Sequence, residues 1–218
     1  LAERLGVNTQ GIFTGIDIPE SATGKIEDII HNAGYARKTL AAMAPGARWD
    51  TKRWPENHFV RLISELGKQG TETVMIGDKK EIALNGQIAF ASSHPPLDVT
   101  GKLSITETAA MLKKCSVLVT NDSAPLHIAE AVGTPVVALF GPTVREFGYY
   151  PQLRRSVALD VELPCRPCSR NGARPCPLDT KECLTSITPE LVLNTVRSIL
   201  EKDKNGAGTT QSQGAGGI

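Results

Sequence analysis

The sequence predicts an α/β protein with a parallel sheet covered by helices on both faces, and three observations carry that expectation. Short apolar runs alternate with amphipathic helical patterns several times along the chain. The runs are apolar at every position rather than every second one, as strands buried on both faces are. Runs end in Gly, Pro, Asn or Asp, and caps follow. Because crossovers in such sheets are right-handed, the arrangement is Rossmann-like, and ligands are expected where strands hand over to helices.

The elements follow in order. Residues 1–38 are Gly-punctuated and weakly patterned, with one short helix between Ser21 and Ala33, and are read as a linker or the end of a preceding domain. Thr39-Leu-Ala-Ala-Met-Ala44 is the first strand, closed by Pro45-Gly46. A helix spans about Pro55 to Gly67, with Phe59, Leu62, Ile63 and Leu66 on one face. Thr73-Val-Met-Ile76 is the second strand. Asp78 with Glu81 forms a capping-box pattern for a helix to about Ala89. Leu97-Asp-Val99 is a short third strand. Ser104-Ile-Thr-Glu107 is a second capping box, opening a helix whose stripe is Ile105, Ala109 and Leu112. Ser116–Thr120 is the fourth strand, Pro125 to Val132 a helix closed by Gly133, and Val136–Phe140 the fifth strand. Regularity stops after Thr143. Thr188-Pro189-Glu190 caps a last helix to about Lys202, with Val192, Val196 and Ile199 inward. A domain is thus expected over 39–202, with a disordered polar tail over 203–218.

The 218 residues are 40% hydrophobic and 22% charged, values ordinary for a globular protein. Net charge is +1, which gives no reason to expect a nucleic-acid partner. No apolar run is long enough for a bilayer, and Leu1 to Gly6 lacks a signal-peptide pattern, so the cytoplasm is the expected compartment. Five cysteines, an odd number, fit a reducing environment.

Two loops carry chemistry. Thr120-Asn-Asp-Ser-Ala-Pro-Leu-His127 joins a strand to a helix N-terminus, whose unpaired amides and partial positive charge suit phosphate. Ser123 and Ala124 are small enough for a ligand to approach the backbone. Asp122 suits a hydroxyl partner or a cap, and His127 lies in the first turn. The competing reading is that Asn121, Asp122 and Ser123 simply cap the helix. Ala44-Pro-Gly-Ala-Arg-Trp-Asp-Thr-Lys-Arg-Trp-Pro55 also joins strand to helix. Its Thr51, Lys52 and Arg53 make a diphosphate clamp, against a solvated basic loop over packed tryptophans. Two such loops at neighbouring strand ends favour nucleotide or phosphate binding. Neither loop is G-x-G-x-x-G or a P-loop, and G-x-S-x-G is absent.

These two segments, together with Ala131-Val-Gly-Thr-Pro-Val-Val-Ala-Leu-Phe-Gly-Pro-Thr143, make residues 41–201 resemble the carboxyl-terminal domain of the lipopolysaccharide heptosyltransferase family. That resemblance implies the GT-B fold, an ADP-heptose donor, a lipopolysaccharide core or lipid A acceptor, and an inverting transfer without a required cofactor. Residue by residue, it assigns donor binding to Thr51, Lys52, Asp122, Ser123, Ala124, Leu126 and His127. It also calls for an acidic residue after the second strand, for which Asp78 and Glu81 both stand and Glu81 is preferred. Position 124 is commonly glycine in the family. The family's base, an aspartate near the start of an amino-terminal domain, has no counterpart here, so no catalytic residue is expected in this chain and a missing amino-terminal domain is. The lipid-linked acceptor implies peripheral contact with the inner face of a membrane.

Cys165, Cys168, Cys176 and Cys183 follow C-x2-C-x7-C-x6-C. The opening pair has metal-ligand spacing and four thiolates suit structural zinc, but a second tight pair is lacking, and reduced, partly packed cysteines are the preferred reading. Cys115 reads as a small core residue. Two other functions stay open. One is a GT-B transferase using another nucleotide sugar; the other is a non-catalytic sugar-nucleotide-binding module.

Overall fold

The computed structural model describes residues 15–206. Six strands form one wholly parallel sheet: β1 (Thr39–Ala44), β2 (Thr71–Met75), β3 (Leu97–Asp98), β4 (Val117–Asn121), β5 (Val136–Leu139) and β6 (Val157–Leu159). Their spatial order is β3-β2-β1-β4-β5-β6. That is the doubly wound order, and it reverses between β1 and β4. The helices are α1 (Glu20–Asn32), α2 (Glu56–Lys68), α3 (Ile82–Ala91), α4 (Ile105–Lys114), α5 (Ala124–Ala131), α6 (Glu182–Thr185) and α7 (Pro189–Gly206).

Strands apolar at every position bury both faces, so β1, β4 and β5 feed two cores with alternate side chains. Leu40, Ala42 and Ala44 of β1 join Leu118, Val136 and Ala138 in one core. Ala41 and Met43 join Val117, Val119, Val137 and Leu139 in the other. Helices α1, α4 and α5 cover the first face and α2 and α7 the second. On α2, Phe59, Leu62, Ile63 and Leu66 are all buried, as their spacing requires.

Four expectations are corrected by the packing. The segment read as a linker contributes α1, whose Ala22, Ile26 and Ile30 are buried in the first core. Lys25 and Glu27 of α1 also pair with Glu107 and Lys114 of α4 at 2.8 and 2.6 Å. Ile105 is 69% exposed, because the buried part of α4 is the full turn Ala109 to Leu112, beyond the first turn where Ile105 sits. The stretch after Thr143 holds a sixth strand, β6, which pairs with β5 at the sheet edge. Helix α7 continues to Gly206; the rest of the expected tail, 207–218, lies outside the described residues, as does 1–14. Cys115 is a core residue, and burial pushes its thiol up to about 12. Among the described residues no helix is long and apolar enough to cross a membrane.

Candidate functional site

The reversal of strand order places the loops after β1 and β4 side by side, at the crevice where open α/β sheets bind ligands. Asn121, the last residue of β4 and fully buried, joins them. Its Nδ2 donates to Pro45 O at 2.6 Å and Gly46 O at 3.3 Å, and its Oδ1 accepts from Trp54 N at 3.0 Å. One amide therefore uses donors and acceptor together to fix both ends of the 45–54 loop. Trp54 anchors that loop below. Its ring is buried, packs edge-on against Phe59, and donates from Nε1 to Ile187 O at 2.7 Å.

The loop carries a short 3-10 turn, Asp50–Lys52. Lys52 reaches from it across the crevice to Asp122, with Nζ 2.6 Å from Oδ2 and both side chains largely buried. Asp122 Oδ2 also accepts from Thr143 Oγ1 at 2.7 Å, and the ammonium lies 5.7 Å from the centre of the Tyr149 ring. The aspartate thus holds the lysine beside the start of α5.

That start is not capped by any of the three residues whose types suit capping. Ser123 occupies the cap position without a side-chain bond to the helix. Its hydroxyl instead meets Thr120 Oγ1 at 3.2 Å and Asn121 O at 3.3 Å. Asn121 is committed to the neighbouring loop and Asp122 to Lys52 and Thr143. The N–H groups heading α5 are left to solvent or a ligand. Pro125 contributes no donor, and Leu126 N already donates to Ser123 O at 3.2 Å, so Ser123 and Ala124 are the residues with amides to offer. Ala124 and His127 are exposed. Leu126 is fully buried, so no atom of its side chain reaches a ligand. Thr51 turns its hydroxyl to Gly172 O rather than to the crevice.

Glu81 enters from β2. A short turn, Lys79–Glu81, is closed by a capping box: Asp78 accepts from Lys80 N at 2.7 Å and Glu81 Oε2 accepts from Asp78 N at 2.9 Å. The Glu81 carboxylate lies on the bare backbone of two glycines. A β-carbon on Gly46 would fall 1.7 Å from Oε1, and one on Gly77 2.6 Å from Oε2. The group therefore spans the ends of β1 and β2. Burial pushes its pKa above the ordinary glutamate range and the Asp78 charge adds to this, while the Asp78 N–H and Arg53 pull the other way. Asp78, the alternative, is exposed at the cap.

Among the described residues no three His, Cys, Asp or Glu side chains converge where a metal ion would sit. Cys165, Cys168, Cys176 and Cys183 are free thiols; burial pushes Cys168 and Cys183 up, while at Cys176 burial is outweighed by backbone hydrogen bonds, which pull it down. A groove of about 660 Å³ lined by Arg154, Asn194, Thr195, Ser198 and Lys202 belongs to none of the crevice loops.

Sequence reasoning named Lys52, Asp122 and the α5 start, which the fold brings together, and Glu81, which it places at the end of β2, next to the β1 loop that carries Lys52. It missed Asn121 as a brace and Thr143 as the second partner of Asp122. A buried polar residue at a strand end was the available signal for Asn121; nothing local marks Thr143.

Residues 1–178 match the family model of glycosyltransferase family 9 (heptosyltransferase). Lipooligosaccharide heptosyltransferase 2 of Haemophilus influenzae is 29% identical over 175 residues, 76% of this chain and 48% of that protein. The glycosyltransferase family 9 structure from Veillonella parvula superposes with a TM-score of 0.78 at 26% identity, covering 92% of this chain and 57% of that one. ADP-heptose LPS heptosyltransferase II of E. coli superposes with a TM-score of 0.74 at 21% identity, covering 92% and 57%, and shows the same fold. The chain spans about half the length of the curated relatives it matches.

Proposed function

This chain belongs to glycosyltransferase family 9, the heptosyltransferases, and from that premise we propose that it forms the nucleotide-sugar donor site of an inverting heptosyltransferase. The observation that carries the reading is the placement of the Lys52 ammonium, 2.6 Å from Asp122, beside the uncapped start of α5 at the strand-order reversal. A cation and outward amides on one ledge are what a diphosphate requires. Lys52 and the α5 amides hold the two phosphates. Glu81 suits the hydroxyls of a ribose, because an acceptor braced by two glycines can lie flat against the nucleoside.

In this reading the donor is ADP-heptose and the acceptor a lipopolysaccharide inner-core glycan, consistent with the names of the relatives. The acceptor hydroxyl attacks the anomeric carbon as the bond to ADP breaks, and the configuration inverts. Negative charge grows on the departing diphosphate, where Lys52 and the α5 dipole already stand. Removing the hydroxyl proton needs a base, which the family resemblance assigns to an aspartate of an amino-terminal domain. The peripheral, cytoplasmic-face location follows from the same acceptor.

Donor binding is the direct test. Titration calorimetry with ADP is expected to show a loss of about 2 kcal/mol, roughly 30-fold, for Lys52→Ala, the size of one charge-assisted contact. UDP and GDP are expected to compete less well than ADP. Equal ADP affinity in the two proteins would remove the clamp from the reading.

A further inference from the structure

The cysteine-bearing segment between β6 and α6 touches the lysine clamp at separate places. Arg166, with a side chain only 5% exposed, donates from Nε to Gly141 O at 2.6 Å and from Nη2 to Thr143 O at 2.8 Å, and also bonds Val161 O. Thr143 donates in turn to Asp122, the partner of Lys52. Six residues further on, buried Gly172 takes φ +89° and accepts the Thr51 hydroxyl. A β-carbon there would lie 2.9 Å from both Cγ and Cε of Lys52. Ser169 Oγ fixes this turn by accepting from Gly172 N at 2.9 Å, and Lys181 ties the far end of the segment to Asp50 at 2.9 Å.

We infer that this segment is a strap that positions the Lys52 ammonium for the donor diphosphate, Arg166 acting from the Asp122 side and Gly172 from the side of the aliphatic stem. The inference rests on the donor-binding reading. A free lysine carries four flexible bonds, and ordering them on binding weakens affinity. Here the stem lies against a glycine that has no β-carbon to displace it, and its ammonium faces a carboxylate held by a buttressed threonine. The ordering is complete before the ligand arrives, which is how preorganisation raises affinity. Arg166, Ser169 and Gly172 are positioning residues: Gly172 meets the lysine stem and accepts from Thr51, Ser169 fixes the Gly172 turn, and Arg166 reaches Asp122 through Thr143.

The test is a mutant cycle read by ADP titration of the purified protein, with thermal unfolding as the check on folding. Gly172→Ala is expected to weaken ADP binding about tenfold. In a Lys52→Ala background the same change is expected to alter affinity less than twofold, because the side chain it displaces is gone. Ser169→Ala, which loosens the turn without adding an atom, is expected to give a loss of about threefold that likewise vanishes beside Lys52→Ala, and it decides the matter should Gly172→Ala not fold. Wild-type affinity in these strap variants overturns the inference, as does an equal loss with and without Lys52, since the strap would then act elsewhere. Failure of the wild-type protein to bind ADP sinks the donor reading, and this one with it.

Discussion

Two helices of this protein begin with serine, and they begin in opposite ways. At α4, Ser104 Oγ accepts from Glu107 N at 3.3 Å and Glu107 Oε2 accepts from Ser104 N at 2.7 Å, a reciprocal box that satisfies the helix end locally. At α5, Ser123 points back to Thr120 and Asn121 and leaves the helix amides without a side-chain cap. Both helices follow a parallel strand at its carboxyl end, so topology alone does not separate them. The difference is that α4 follows the edge strand β3 and α5 follows β4, at the reversal of strand order. The helix at the crevice lacks that local bond, and its positive end has no side-chain cap.

The largest effect is expected from the brace that holds the open start next to the clamp. Asn121→Ala leaves Pro45 O, Gly46 O and Trp54 N buried without their partner. Each orphaned group costs about 1–3 kcal/mol, so a loss of at least about 3 kcal/mol in unfolding free energy is expected in urea titrations. Asn121→Leu, similar in volume, is expected to fare no better, which separates lost hydrogen bonds from lost packing.

Closing the open helix is expected to uncouple stability from binding. Ser123→Asp supplies a strong cap and a negative charge at the α5 start. Thermal stability is expected to hold or rise while ADP affinity falls about tenfold, close to 1.4 kcal/mol. Unchanged affinity would mean that the α5 amides do not meet the phosphates. The control is Ser104→Ala at the closed helix, expected to cost about 1 kcal/mol of stability and to leave ADP binding alone.

The same contrast shows what was legible in the sequence. The closed helix was readable because a capping box is local: Ser104 and Glu107 are three residues apart and satisfy each other. Strands β1 to β5 were readable as apolar runs, because burial on both faces leaves a continuous pattern, whereas their order in the sheet was not. The lysine clamp was legible as residue types at a strand end, and the fold supplied the 2.6 Å meeting of Lys52 with Asp122, seventy positions on. Thr143, Arg166 and Gly172 were not legible, because their roles exist only across 21, 23 and 121 residues of separation. Helix α1 was legible as a short helix, but its place in the core was missed for a related reason. Its apolar face is only Ala22, Ile26 and Ile30, thin enough to pass as linker, and α4 supplies the other half of its packing.

The smallest expected effect lies at Glu81, where a local box and a site-facing role share one side chain. Its carboxylate caps the Asp78 turn as Glu107 caps α4, yet it also lies on Gly46 and Gly77 at the strand ends. Burial raises its pKa in the folded protein. A raised value means the folded state binds the proton more tightly than the unfolded chain, so the group's contribution is most favourable below the unfolded value of about 4.3 and is lost as pH rises through the folded value. At neutral pH the ionised carboxylate is therefore a net cost to the fold. Glu81→Gln keeps an acceptor for Asp78 N and removes the charge. Its melting temperature is expected to exceed that of the wild type slightly at pH 7, with the gap closing as pH falls to about 4. ADP affinity is expected to drop about threefold, since a neutral amide accepts ribose hydroxyls less strongly than a carboxylate. A variant that is no more stable at pH 7 and binds ADP as well as the wild type would make Glu81 a cap like Glu107; one that gains stability and loses affinity would place it with Ser123, a side chain kept for a ligand at the fold's expense.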